Sequence, residues 1–124
     1  NIGKGKVVSV VGVSTSGGHL TIALADRDGA SGVRASGLKF VTDHAIADGA
    51  TGIVVDWAII EMDTSALSVG AELWLKADGS GNLEAVGAKV GGNFNRVIAQ
   101  VLEAAVEGLV LVAPNATWKQ LTDD

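Results

Sequence analysis

Few residues in this chain are placed to do chemistry. Asp43 stands beside His44, and such a pair can form half of a general acid–base device. A nucleophile would have to complete it. Ser36 is the candidate, but no motif supports it, and the Gly-x-Ser-x-Gly elbow is absent. The pair therefore reads as solvated side chains. His19 opens an alternating segment on its polar side and reads as a surface residue. The chain has 2 His and 0 Cys, which argues against a His-rich metal site and excludes thiolate chemistry and disulfides.

Two short loops imitate calcium sites. Asp26-Arg27-Asp28-Gly29 matches the opening of a calcium loop, but no Glu stands at the closing position. Asp78-Gly79-Ser80-Gly81-Asn82 places oxygens at alternate residues and lacks the later carboxylates. Asx turns are the expected form of both. Lys4-Gly5-Lys6 is a charged turn, without the glycines or the Lys-Ser/Thr ending of a phosphate loop. Asn115-Ala116-Thr117 is a glycosylation sequon, which matters only in a secretory pathway. No catalytic residue, metal ligand or cofactor site is assigned.

The elements that would carry any site are short strands. The chain has 17 Gly and 1 Pro among many Val, Ile and Ala, as in strands joined by tight turns. Its 124 residues fit one β domain, with residues 1–5 as an N-terminal arm and 114–124 as a C-terminal tail. The formal net charge of -5, with no basic stripe, disfavours nucleic acid as a partner. No apolar run is long enough to span a bilayer, and no apolar stretch of signal-peptide type follows Asn1.

Lys6 to Val13 is the first strand, and Ser14 to Gly18 turns it into a second at His19–Ala25. Val33 to Val41 reads as a short irregular strand ending in Leu38-Lys39-Phe40-Val41, and Leu83 to Val86 as another short strand. The centre of the chain runs from Thr51 to Lys76. Its first part is rich in β-branched residues and reads as one long strand. Ile53, Val55, Trp57 and Ile59 share one face, and Val54, Ala58, Ile60 and Met62 share the other. A strand apolar on both faces requires cover on both, by loops or by another subunit.

After a turn at Asp63–Leu67, where Asp63 can cap a single helical turn, Gly70 can supply the positive φ that re-enters the sheet. Leu73 and Leu75 then face the core. That puts Trp74 on the outer face between Glu72 and Lys76, where a large aromatic is a common interface anchor. The candidate interface residues are Trp57, Ile60, Met62, Trp74 and, in the tail, Trp118. The segment 93–107 is ambiguous. Phe94, Val97, Ile98, Val101, Leu102 and Ala105 fit a helical period, while Val97, Ala99 and Val101 fit one face of a strand.

Five pieces, in order, resemble a domain recurrent in virion proteins of tailed bacteriophages. They are Lys4-Gly5-Lys6-Val7-Val8, Ile22-Ala23-Leu24-Ala25-Asp26, Ile46-Ala47-Asp48-Gly49-Ala50-Thr51-Gly52, the turn from Met62 to Leu75, and Val97 to Val112. Met62 and Leu67 stand where that pattern has Leu and Phe. Trp74 stands where it has Tyr, and Val33–Gly37 lacks its Pro. The resemblance implies a small antiparallel β-barrel or sandwich. It also resolves 93–107 as a strand from Arg96 to Glu103, a turn at Ala104–Gly108 and a return strand Leu109–Ala113.

The function so implied is structural and non-enzymatic: a capsid decoration (cement) or head-fibre protein. It would form a homotrimer, bind the major capsid protein or another virion protein, and stabilise the particle. It would be assembled in the host cytoplasm and sit on the virion surface. A fibre domain that binds a host-surface glycan or receptor is the alternative, with Trp57, Trp74 and Trp118 as its stacking candidates.

Overall fold

The structure is a computed structural model that describes residues 1–115. Two antiparallel sheets face a shared core. The first contains β1 (Val7–Val13), β2 (Leu20–Leu24), β3 (Lys39–Thr42) and β4 (Val54–Val55), in the order β2-β1-β3-β4. The second contains β5 (Ala58–Met62), β6 (Glu72–Leu75), β7 (Leu83–Ala85), β8 (Val97–Glu103) and β9 (Gly108–Val112), in the order β5-β9-β8-β6-β7, and one of the two sheets curls into a half-barrel. This is the small all-β architecture expected from the composition.

The β1–β2 hairpin closes where the turn residues stand, with Ser14 N–H donating to the His19 carbonyl (2.8 Å) and Gly17 at φ 73°. The segment 93–107 is strand and turn, not helix: Ala99 pairs with Val112, and Val101 with Val110. Helical structure appears instead as a 3-10 turn at Gly29–Ser31 and one α-helical turn, α1, at Val33–Ser36. The irregular strand expected from Val33 therefore begins only at Lys39. Asp28 caps the 3-10 turn by accepting from the Ala30 N–H at 2.9 Å. The helical turn expected at Asp63–Leu67 is instead a plain turn with a Leu67 N–H to Thr64 carbonyl bond of 2.9 Å, and Gly70 has the positive φ expected of it, 88°.

The central run is not one strand. Val54–Val55 pairs with β3, Val55 lying opposite Val41, while Ala58–Met62 pairs with β9 in the other sheet. The chain changes sheets across Asp56-Trp57, and this corner shifts the alternation by one residue. Val55 packs on the core, and beyond the corner so do Ala58, Ile60 and Met62. A run apolar on both faces of an ideal strand thus becomes two short strands, each apolar on its inner face.

The core joins Val7, Val41, Leu73, Leu75, Leu83, Ile98, Val101, Val110 and Val112 from both sheets, all buried. At about 1.5–3 kcal/mol for each large aliphatic side chain removed from water, this cluster is the main driving force for closing the sheets. The N-terminal arm is tied down by reciprocal backbone bonds between Ile2 and Ile46, each 2.8 Å.

Candidate interaction surface

The residues that could have been chemical are bound up in loop structure. His44 Nε2 accepts from the Ile53 N–H (3.0 Å) and Nδ1 lies 2.8 Å from the Ala45 carbonyl. Accepting at Nε2 puts the ring proton of the neutral form on Nδ1, which then donates to Ala45. The Asp43 N–H meanwhile donates to the Ile53 carbonyl at 3.1 Å, so the pair clamps the loop before β4.

Asp26 Oδ1 accepts from the Asp28 N–H, and Asp78 Oδ1 accepts from Ser80 through both its N–H (3.0 Å) and its hydroxyl (2.5 Å). These are Asx turns. The Ser80 hydroxyl, then its N–H, hold the Asp78 carboxyl below its usual range, and Ser65 acts on Asp63 in the same way. Among the described residues, no group of three or more His, Asp or Glu could hold a metal ion. No helix among them is long and apolar enough to cross a membrane.

Trp74 is the main departure from the periodicity. It lies on the opposite side of β6 from Leu73 and Leu75, as alternation requires, yet it is only 2% exposed. The polar loop after β2 covers it. The Arg27 guanidinium carbon stacks 4.2 Å from the ring centroid, Nε donates to the Leu75 carbonyl (2.8 Å), and Nη2 pairs with Glu84 Oε2 (3.1 Å). Backbone bonds from the Arg27 N–H to the Lys76 carbonyl and from the Phe94 N–H to the Arg27 carbonyl hold this lid in place. Trp74 therefore packs inside its own chain and is not an interface anchor. Ile60 and Met62 also point inward, half-buried against the core, so they do not form an outer face. Trp118 lies outside the described residues.

Trp57 is the candidate that remains on the surface. It stands at the sheet-switching corner, 61% exposed, followed on β5 by Ile59 at 55%. Ile59 lies opposite Leu111 of β9, and Asp56, Trp57, Leu111, Ala113 and Asn115 line a recess of about 620 Å³. Asn115 Nδ2 donates to the Lys39 carbonyl (2.7 Å), which fixes the end of the described chain against β3. Leu111 and Ala113 give the recess an aliphatic lining, while Asp56 and Asn115 add polar groups. That combination can seat an apolar protein surface, or a flat ring stacked on the indole.

The alternation pattern could not reveal Lys39, which is only 2% exposed. Its Nζ donates to the Ala35 (2.5 Å) and Gly37 (2.9 Å) carbonyls at the end of α1 and lies 4.1 Å from the Phe94 ring centroid. The helix end leaves carbonyls without intrahelical partners, and the ammonium fills that need. Desolvation by burial lowers its pKa from 10.5 to about 8.

Searches against protein families, curated proteins and solved structures found no match to this chain.

Proposed function

We propose that this chain is a non-enzymatic structural protein of a bacteriophage virion, a capsid decoration or head-fibre protein. It associates with copies of itself, as a trimer, and binds and stabilises the particle at its surface after assembly in the host cytoplasm. The carrying observation is the exposed apolar surface of Trp57 and Ile59 beside Leu111 and Ala113. Exposed aromatic and aliphatic side chains grouped around one recess are the composition of an interface centre. The ordered resemblance of the five sequence pieces to virion domains supplies the setting.

Light scattering on the purified chain, followed by co-sedimentation with phage capsids, tests this reading. The expected solution mass is about three times 12.5 kDa. Trp57→Ala should abolish the association while leaving the unfolding free energy of the monomer within about 0.5 kcal/mol of the parent. A variant that keeps the parental mass removes Trp57 from the interface. Failure to co-sediment removes the particle as partner.

A specific observation favours one second reading, a fibre domain that binds a host-surface glycan. Trp57 offers a ring face next to the Asp56 carboxylate and the Asn115 amide oxygen, the pairing of stacking and polar groups that sugars require. Quenching of Trp57 fluorescence by a glycan panel, lost in Trp57→Ala, would favour it over self-association.

A further inference from the structure

β5 is an edge strand with open backbone groups. β5 ends the order of the five-stranded sheet, and none of its main-chain groups takes part in a further backbone bond among the described residues. Proteins blunt such edges with Lys, Pro or bulges. β5 contains neither Lys nor Pro and one charge, Glu61, and its ladder with β9 runs without a register shift from Ala58–Val112 to Met62–Gly108. The β1–β2, β6–β8 and β8–β9 ladders each carry a shift. An edge strand turns alternate N–H and C=O groups away from its sheet.

This edge opens into a groove of about 760 Å³. Ile59, Ile60, Glu61, Met62 and Asp63 all line it. Successive strand residues point to opposite faces, so a groove that touches every one of them runs along the edge, not over a face. Lys4, Lys6 and Lys76 line the same groove, three of the six lysines in a chain of net charge -5. None of the three forms a salt bridge among the described residues, and the Lys6 ammonium donates to the neutral amide oxygen of Asn82.

The groove contains both an open row of backbone groups and three lysines beside two carboxylates, with Lys76 also acting on the Asp78 carboxylate. We propose that it takes an extended acidic polypeptide segment, which adds to β5 as a further strand and sets its carboxylates against Lys4, Lys6 and Lys76. Strand addition satisfies the free backbone groups, and its two-residue period directs alternate side chains to one side. Acidic side chains are selected because the three lysines outnumber Glu61 and Asp63 in the groove. A nucleic acid has no peptide groups to complete the ladder and would leave the edge unpaired. A second copy of β5 is the alternative occupant, and slowed exchange in Ala58–Met62 that needs no added peptide and rises with chain concentration would favour it. Under the virion reading, the segment belongs to a particle protein. The strand addition itself rests only on the edge and the lysines.

The test uses the intact chain and a synthetic probe, acetyl-Thr-Val-Glu-Val-Glu-Val-Glu-Thr-amide. Saturable binding is expected, with amide hydrogen exchange within Ala58–Met62 slowed at least tenfold. A probe with Lys in place of Glu should not bind. The double variant Lys4→Glu/Lys76→Glu should bind at least tenfold more weakly at an unchanged urea midpoint. Absence of saturable binding overturns the proposal, and so does binding that leaves β5 exchange unaltered, since simple charge attraction would do that. Neither outcome bears on particle association, which the co-sedimentation experiment reads separately.

Discussion

Lys39 provides a test of the packing that needs no partner. In the folded chain its ammonium is enclosed by α1, β3 and Phe94, and desolvation lowers its pKa from 10.5 to about 8. The unfolded chain keeps the ordinary value. Between about pH 8 and about pH 10.5 the unfolded state therefore binds more protons than the folded one, and stability rises with pH across that window. Below it, both states carry the charge and the full burial penalty applies. Above it, both are neutral and the penalty is gone. A drop from 10.5 to about 8, at about 1.4 kcal/mol per pH unit, corresponds to about 3 kcal/mol.

The comparison is between the parent and Lys39→Met, by urea unfolding followed through Trp fluorescence from about pH 7 to about pH 11. Lys39→Met leaves the Ala35 and Gly37 carbonyls without their donor, a loss in stability that does not depend on pH. The difference between the two proteins should therefore change by about 3 kcal/mol across the window, in favour of the parent as pH rises. Two curves that run parallel with pH would refute the burial of this charge.

Three further substitutions probe the fold. Trp74→Ala should lower stability by about 3–5 kcal/mol in urea unfolding, because it removes a ring that is 2% exposed and strips Arg27 of its stacking surface. Thr64→Val should lose about 1–3 kcal/mol in the same assay. The buried Thr64 hydroxyl donates to the Glu103 carbonyl (2.8 Å) and accepts from the Ala105 N–H (3.2 Å), which pins the Asp63 turn to the β8–β9 turn. Gly108→Ala should cost more than about 2 kcal/mol, since a Cβ there would lie 1.9 Å from Thr64 Oγ1 and 2.4 Å from the Glu103 carbonyl oxygen, and thermal unfolding would show it.

Much of the architecture was legible in the chain. β-branched runs mark β1, β5 and β9, Ser14 to Gly18 marks the first hairpin, Gly70 marks the re-entry to the sheet, and Leu73 and Leu75 mark an inner face. These features follow from local physics, namely the two-residue period of a strand and the freedom of glycine at positive φ. Of the candidate surface residues that the structure describes, Trp57 is the one left exposed, at the corner between the sheets.

The break of the central run at Asp56-Trp57 was not legible. An apolar run looks the same whether it continues in one sheet or passes to another, and only the pairing of Val55 with Val41 and of Ala58 with Val112 distinguishes the two. Nor could the periodicity tell that Lys39 is enclosed or that Trp74 is covered. Alternation fixes the side of a strand on which a residue lies, but burial depends on what else packs there. For Trp74 that is Arg27, from a loop forty-seven positions earlier, and for Lys39 it is the end of α1 and the ring of Phe94. The sequence by itself determined that the chain is built of short strands and where several of them turn. The tertiary structure decided how they divide between two sheets and which polar side chains close over the outer faces, because those outcomes depend on contacts between residues far apart in the chain.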